Sequence, residues 1–262
     1  MVACIGSAQT QADDKEPVPF SFYTYGGYMG RRGATVIPPV FDKVKPFSEG
    51  LAVVKLDGKF GYLASTGDFV VAPQYLYAGD FSGGLAVVRM GDNLVTSSYG
   101  VIDKMGRPVI GYGRFAFIDT FSDGLAVATT GERNEAGEAL YGYIDRDGRY
   151  VIKPRFTKAL GFADGLAPVR LGDELGYINR QGAIAIKARF KQADGFFDGL
   201  AKVTLSDDHE AYVDRTGRVV WRRDYPSTSE LDLPANLFGG IKKERDKPSS
   251  DTRSTGARTE DD

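Results

Sequence analysis

The sequence predicts an all-β repeat protein made of small units of similar length. Eight residues recur with little change, as FSEGLAVV (47–54), FSGGLAVV (81–88), FSDGLAVA (121–128), FADGLAPV (162–169) and FFDGLAKV (196–203). The glycines of this GLA motif are separated by 34, 40, 41 and 34 residues (84−50, 124−84, 165−124 and 199−165). A period in this range indicates a repeat architecture. The repeat region has no window with the 3.6-residue period of a helix, so the units are predicted to be β-structure.

A second motif, the GY motif, supplies a hairpin in each unit. It occurs as GYMGRRG (27–33), GYLASTG (61–67), GVIDKMG (100–106), GYIDRDG (142–148), GYINRQG (176–182) and AYVDRTG (211–217). β-Branched and aromatic residues favour strands, and Asp or Asn close to Gly favours a tight turn between them. A run such as YVIKP (150–154) is predicted to form a third strand that ends at its proline. A short fourth segment then leads into the next unit.

Six small blades closed as a β-propeller are the predicted arrangement of these units. There are six GY hairpins, and the last of them has no GLA strand after it. The apolar strand FSFYTY (20–25) precedes the first hairpin, and it is expected to complete the last blade. Closure would remove the exposed strand edges that an open stack must protect. An open β-solenoid is the alternative, because units of about 34 residues are small beside a WD40 blade.

The units resemble WG repeats. The family pattern is roughly Trp-Gly-Tyr-Ile-Asp-x-x-Gly, a Val-Ile-x-Pro run, an aromatic-Asp pair and Phe-x-x-Gly-Leu-Ala, and the resemblance covers about residues 20–225. The tryptophan before the glycine is replaced by Phe60, Tyr141 and Leu175 in three units, and the only tryptophan of the chain is Trp221. The large apolar slot is therefore mostly kept. The resemblance implies a repeat module and is consistent with a binding scaffold.

Four segments are predicted along the chain. They are a disordered leader or lipoprotein-type tether (1–18), the repeat propeller (19–225), a linker or docking segment (226–241) and a disordered tail (242–262). The tail is predicted to be disordered because Ser, Thr and charges of both signs dominate it.

The single cysteine, Cys4, is a candidate for lipidation. Its surroundings, MVACIGS, resemble the end of a bacterial lipoprotein signal, although no charged or apolar region precedes them. If Cys4 is lipidated, we expect the protein on the bacterial cell envelope, facing the periplasm; otherwise we expect it in the cytoplasm. No run approaches ~18 apolar residues, so no transmembrane span is predicted. A net charge of −2 without a basic stripe argues against nucleic acid as a partner.

Carboxylates recur in the turns, and they are predicted to be structural. Four of the five GLA turns carry an acid before the glycine: Glu49, Asp123, Asp164 and Asp198. Four GY hairpins carry Asp103, Asp145, Asn179 and Asp214 at one position. Asp or Asn beside Gly is what a tight turn requires, and the Asn would weaken a catalytic carboxylate. The only histidine, His209, lies in SDDHE (206–210), which is interpreted as a solvated loop. We predict no catalytic residue, metal or cofactor.

The leading functional hypothesis is a non-catalytic scaffold that binds a protein or peptide. A glycan-binding or glycan-processing propeller is the alternative. From the Ala of each GLA motif to the next GY motif the steps are 9, 14, 16, 9 and 10 residues. The two longer connections, 89–98 and 129–140, belong to consecutive units, so we expect them side by side on one face. Asn93, Arg133, Asn134 and Glu135 have no counterpart in the other units and are the predicted binding residues.

Overall fold

The computed structural model describes residues 16–22, 24–93 and 95–223, all of which belong to the compact unit Met1–Arg223. These residues form antiparallel sheets of three to six strands and contain no helix, so the all-β prediction is confirmed. In particular, they include no helix that is long and apolar enough to cross a membrane. Cys4, most of the predicted leader, and the segments 226–241 and 242–262 lie outside the described residues.

The strands fall into five sheets. The first contains β1 (Val18–Phe22), β2 (Tyr25–Met29) and β3 (Thr35–Phe41). The second contains β4 (Lys43–Ser48), β5 (Leu51–Leu56), β6 (Lys59–Ala64) and β7 (Phe69–Tyr75). The third contains β8 (Tyr77–Ala78), β9 (Leu85–Met90), β10 (Ser98–Asp103) and β11 (Pro108–Ile110). The fourth contains β12 (Phe117–Ile118), β13 (Ala126–Thr129), β14 (Tyr141–Ile144) and β15 (Tyr150–Phe156). The last contains β16 (Leu166–Leu171), β17 (Glu174–Asn179), β18 (Ile184–Ala193), β19 (Leu200–Leu205), β20 (Glu210–Asp214) and β21 (Val219–Arg222).

The sequence motifs occupy fixed places in these sheets. A GLA strand pairs with the following GY strand, and the third strand of the unit lies at the far side of the GY strand. The short fourth segment of one unit becomes the first strand of the next sheet, as β4 does beside β5. The last sheet holds two units, because the long β18 pairs with β17 at its start and with β19 at its end. Six GY strands are thus distributed over five sheets.

The strand FSFYTY does not complete the last sheet. Its residues 20–22 belong to β1, which pairs with β2 from Val18↔Met29 to Phe22↔Tyr25, within the first sheet. The last sheet takes the corresponding strand from the end of β18 instead. Two residues separate β1 from β2 in the sequence, and such a short connection favours an antiparallel hairpin over a distant pairing.

The prediction that the third strand ends at its proline was wrong. β7 continues through Pro73 to Tyr75, and β15 continues through Pro154 to Phe156. Each of these strands is at the edge of its sheet. Proline is tolerated there because no neighbouring strand on the open side needs the N–H that proline lacks. The pairing register also shifts there, between Phe60↔Tyr75 and Tyr62↔Val71 for example.

Consecutive sheets pack through one recurring interface. The tyrosine of a GY strand lies in the same buried cluster as the Ala-x-Val residues of the next GLA strand, as Tyr28 does with Ala52 and Val54. The tyrosine hydroxyl is satisfied by a carbonyl 17 residues later in the chain. The four bonds are Tyr28 to Lys45 O (2.8 Å), Tyr62 to Gly79 O (2.7 Å), Tyr143 to Leu160 O (2.9 Å) and Tyr177 to Asp194 O (2.9 Å). The first three bonds hold one sheet against the start of the next, and the Tyr177 bond joins the two units of the last sheet.

The last sheet leaves the equivalent face uncovered. Leu200 is 41% exposed, and Trp221, at the position of the buried Ile186, is 50% exposed. Tyr212, the GY tyrosine of this unit, is also exposed and forms a T-shaped contact with Trp221 at 5.8 Å between ring centroids. On the first sheet Val18, which corresponds to the buried Ala52, is exposed as well.

Candidate binding surface

The two insertions form loops at equivalent places in the third and fourth sheets. The first loop (91–97) joins β9 to β10, and the second loop (130–140) joins β13 to β14. Three aromatic rings connect their bases: Tyr99 lies 5.5 Å from Phe117, and Phe117 lies 6.3 Å from Tyr141, between ring centroids. The structure therefore brings the roots of the two loops together at one end of neighbouring sheets.

Asn93 shapes the first loop from inside. Its Oδ1 accepts hydrogen bonds from the backbone N–H groups of Val95 (2.9 Å) and Thr96 (3.0 Å). Lys59, in the preceding sheet, donates from Nζ to the carbonyl of Gly91 at 2.9 Å. These bonds fix both the turn of the loop and its root.

Arg133 and Asn134 shape the second loop in the same way. Arg133 forms a β-bridge with Ala139 and donates from Nη1 to the carbonyl of Gly137 at 2.5 Å. Asn134 donates to Glu138 Oε2 at 2.9 Å and accepts from the Glu138 N–H at 2.8 Å. Glu135 lies exposed at the tip. Three of the four predicted binding residues thus order the loops, and Asn93, Arg133 and Glu135 are exposed to solvent.

A cleft lies beside the second loop, and the sequence did not indicate it. Its volume is about 300 Å³. It is lined by Asn134, Glu138, Arg155, Thr157, Arg170, Gly172 and Asp173. Arg155, Arg170 and Gly172 also line a second cavity of about 450 Å³. The recurrence of Arg before Phe, as at Arg155 and Arg189, is visible in the sequence. Only the fold shows that Arg155 and Arg170 come together at one cavity.

The acids of the GLA turns are structural, as predicted, although they act on a neighbouring turn rather than on their own. The carboxylate of Glu49 accepts hydrogen bonds from Gly83 N (2.6 Å) and Gly84 N (2.9 Å) of the next GLA turn. Asp123 accepts from Gly165 N and Asp164 from Gly199 N, each at 2.9 Å. All four acidic turn residues are held at a φ of about 50°: Glu49, Asp123, Asp164 and Asp198. The carboxylates of Glu49, Asp123 and Asp164 therefore link consecutive units.

Basic residues of the GY hairpins complete these links in the opposite direction. Lys104 donates to the carbonyl of Glu49 at 2.7 Å and forms an ion pair with its carboxylate at 3.2 Å. Arg146 donates to the carbonyl of Gly83 in the same way. Partial desolvation opposes ionisation of Glu49, but the hydrogen bonds from Gly84, Lys104 and Gly83 outweigh it and lower the pKa of this carboxyl.

The Asp and Asn residues of the GY hairpins cap their own turns, which confirms the turn interpretation. In each case Oδ1 accepts from the N–H groups two and four residues later. The distances are 2.9 and 2.9 Å for Asp103, 3.0 and 2.8 Å for Asp145, 3.1 and 2.9 Å for Asn179, and 3.0 and 3.0 Å for Asp214. The hydroxyl of Thr216 and the guanidinium of Arg218 add hydrogen bonds that lower the pKa of Asp214 to about 2.

The acids around His209 also take part in local contacts. Asp207 accepts from Arg222 at 2.8 Å and lies 3.1 Å from the His209 ring nitrogen. Asp208 pairs with Lys191 at 2.8 Å. The contacts with Lys191 and Arg222 tie the turn between β19 and β20 to β18 and β21.

The family comparison matches most of the repeat region. The model of the WG containing repeat fits residues 27–60, 60–93, 99–132, 141–174 and 176–207. A comparison with curated proteins finds no match.

Several solved structures are similar to this chain at low sequence identity. KlHsv2 with its loop 6CD replaced by a Gly-Ser linker is 9% identical, over 83% of this chain and 80% of that chain, with a TM-score of 0.50. BamB from Moraxella catarrhalis is 14% identical, over 81% of this chain and 74% of that chain, with a TM-score of 0.44. The WD40 beta propeller domain of Doa1 is 11% identical, over 68% of this chain and 67% of that chain, with a TM-score of 0.37. At these identities the likeness concerns the fold alone.

Proposed function

Because the chain belongs to the WG containing repeat family, we propose that it is a non-catalytic scaffold that binds a protein or peptide on its two insertion loops. One observation carries the proposal: the two longest connections between a GLA strand and its GY strand rise from neighbouring sheets. The rings of Tyr99, Phe117 and Tyr141 join the bases of these two loops. In repeat proteins, insertions on one face are often where a partner binds.

The internal hydrogen bonds of the loops also support binding. Asn93 orders the first loop, and Arg133 and Asn134 order the second. A loop that is already ordered loses less conformational entropy when it binds a partner. The exposed Glu135 can then contact the partner without a rearrangement of the loop.

The closed six-bladed ring belongs to this proposal as the form of the scaffold. Closure would place the first sheet against the uncovered face of the last sheet, covering Tyr212 and Trp221. Arg31 stands at the hairpin position that Lys104 and Arg146 occupy, and Asp198 stands at the turn position of Glu49. Neither Arg31 nor Asp198 has an ion pair or side-chain hydrogen bond with any described residue, so closure would supply each with its usual partner.

Deletion of the loops tests the binding proposal. Removal of residues 132–138 and, separately, of 92–96 restores the nine-residue spacing seen between Ala52 and Gly61. Both variants should keep the thermal midpoint of the full chain and lose capture of the native partner from an extract of the source cells. A control variant carries Ser65→Glu and Met105→Glu, in hairpins at the opposite ends of the second and third sheets, and should capture normally. Capture that survives both deletions would show that the loops are not the site.

A lipid anchor at Cys4 completes the proposal with a location on the bacterial cell envelope. Metabolic labelling with a palmitate analogue should mark the native protein, and Cys4→Ser should abolish the label. Absence of label from the native protein would leave the cytoplasm as its expected location.

A further inference from the structure

One cation of the scaffold lacks the partner that equivalent cations have. At the end of a GLA strand, Lys55 pairs across the sheet with Phe60, and its Nζ lies 5.5 Å from the ring centroid. Arg89 pairs with Tyr99 in the same way, with the guanidinium 5.2 Å from the ring centroid. These aromatic residues occupy the slot of the family tryptophan, and a cation over such a ring is stabilised by its quadrupole.

Arg170 occupies this position opposite Leu175, which has no aromatic ring. Its Nε is buried and has no hydrogen-bond partner. Its side chain has no ion pair or ring contact with any residue of the described part of the chain. A buried donor without an acceptor is costly, so an acceptor supplied by a ligand would be favoured at this point.

The cavity beside Arg170 has the volume and lining of a binding site. It measures about 450 Å³, which is within the usual range for small ligands. It is lined by Arg155, Phe156, Arg170, Leu171, Gly172, Ile178, Gly182 and Ile184. The lining thus contains two arginines, several apolar side chains and no acidic residue.

Arg155 is held in place for this role. It donates from Nη2 to the carbonyl of Gly182 at 2.6 Å, and its guanidinium lies 4.9 Å from the centroid of the Phe156 ring. The remaining N–H groups of a guanidinium fixed in this way are available to a carboxylate. The acids of the adjoining cleft are Glu138, which is bonded to Asn134, and Asp173. A negatively charged group is therefore favoured in the larger cavity rather than in the cleft.

We propose that this cavity binds a peptide carboxylate that lies next to an apolar side chain, with Arg170 and Arg155 as its anchors. Guanidinium and carboxylate groups form strong, geometrically matched hydrogen bonds, and the apolar wall would cover the neighbouring side chain. The inference rests on the proposed peptide-binding function and names the chemistry of the peptide. The carboxylate comes either from the C-terminus of the peptide or from an acidic side chain.

Fluorescence polarisation with the full chain and three labelled octapeptides of Gly and Ser tests this proposal. One peptide ends in a free leucine carboxylate, the second ends in leucine amide, and the third has an internal Glu-Leu pair and an amidated end. We expect the first or the third peptide to bind and the second not to bind; which of them binds identifies the source of the carboxylate. Failure of both carboxylate peptides, or equal binding of the amide, overturns the proposal.

Variants of the chain place the peptide in the cavity. Arg170→Gln should weaken binding about tenfold or more, because charge-assisted hydrogen bonds are lost. Arg89→Gln, the matched control in the third sheet, should leave affinity unchanged. Leu175→Trp restores the tryptophan of the family pattern opposite Arg170 and should also weaken peptide binding. This variant provides a second measurement if Arg170→Gln does not fold.

Binding that survives both Arg170→Gln and Leu175→Trp overturns the assignment of the cavity. If the native partner is still captured by Arg170→Gln but lost on deletion of 132–138, this inference fails while the proposed function stands.

Discussion

The tyrosine hydroxyl of the GY motif is the residue-scale link between consecutive sheets. Buried tyrosines require an acceptor for the hydroxyl, and Tyr62 finds one in the carbonyl of Gly79. Burial raises the pKa of Tyr62 well above its ordinary value, so the hydroxyl remains a donor at any pH at which the protein is studied.

Tyr62→Phe should lower the free energy of unfolding by about 1–3 kcal/mol, because the Gly79 carbonyl loses its buried donor. Urea unfolding measures this difference. Tyr25→Phe is the control, since Tyr25 is exposed and its hydroxyl makes no hydrogen bond with the described residues. Equal stability of Tyr62→Phe and the unaltered protein would contradict the role assigned to the hydroxyl.

The stability of the turn between β20 and β21 should depend on pH, because its capping residue, Asp214, is ionisable. Asn179, which caps the turn between β17 and β18, is not ionisable. The folded-state pKa of Asp214 is lowered from 3.8 to about 2, first by the hydrogen bond from the Thr216 hydroxyl. A lowered folded-state pKa means that the stabilisation is fully present above pH 3.8 and is lost as the pH falls towards 2. Asp214→Asn should therefore be less stable at pH 7 and lose this deficit near pH 2.

Thermal midpoints of the two proteins at several pH values measure this effect. Asn179→Asp is the reciprocal variant and should acquire a weaker acid dependence, because Gln181 and Ala183 stand where Thr216 and Arg218 bond to Asp214. A stability difference between Asp214→Asn and the unaltered protein that stays constant with pH would contradict the lowered pKa.

Turn chemistry could be predicted from the sequence at this scale, whereas contacts between units could not. Asp145 and Asn179 are capping residues because a side-chain oxygen next to a Gly turn reaches the local backbone. Glu49 bonds to Gly83 and Gly84, more than thirty residues away, and only the packing of consecutive units brings them together. Likewise, Arg170 lacks the ring contact of the equivalent cations because its cross-strand partner is Leu175, and only the strand pairing shows this.

At the scale of strands, the glycine of the GY motif permits the close approach of the third strand. A Cβ on Gly61 would lie 2.6 Å from Val71 O and 2.8 Å from Pro73 N. Gly61→Ala should therefore lower the free energy of unfolding by about 1–3 kcal/mol through strain.

Thermal unfolding of Gly61→Ala measures this cost, with Gly111→Ala as the control. A Cβ on Gly111 would meet no atom within 4 Å. If Gly61→Ala unfolds at the same temperature as Gly111→Ala, the close approach does not explain the glycine.

Strand identity was predictable from the recurrence of the motifs, but strand partners and ends were not. Proline lies within β7 and β15, which are edge strands. The sheet order therefore explains the proline, and the sequence alone could not supply that order. The hairpin of β1 and β2 likewise prevailed over the predicted exchange into the last sheet because it is local.

At the scale of the whole molecule, closure of the ring can be followed through Trp221, the only tryptophan of the chain. Closure should bury this half-exposed side chain, shift its emission to the blue and reduce quenching by acrylamide. Arg31→Glu would place like charges at the contact with Asp198 and should reverse both effects. Arg32→Glu, at the neighbouring position, is the control. Quenching that is high in the unaltered protein and unchanged by Arg31→Glu would contradict closure.

The repeat period predicted the array of units and the place of the two insertions. It did not predict that three of the four insertion residues would bond within their own loops, since loop geometry depends on backbone placement that residue types do not determine. The same limit applies to the two cavities, which are formed by residues of separate units.

Photo-crosslinking in the source cells tests the binding face most directly. A photoreactive amino acid is placed at Glu135, on the second insertion loop, and separately at Ser65, at the opposite end of the second sheet. We expect a crosslinked partner from position 135 and none from position 65. A partner captured only from position 65 would contradict the assignment of function to the loops.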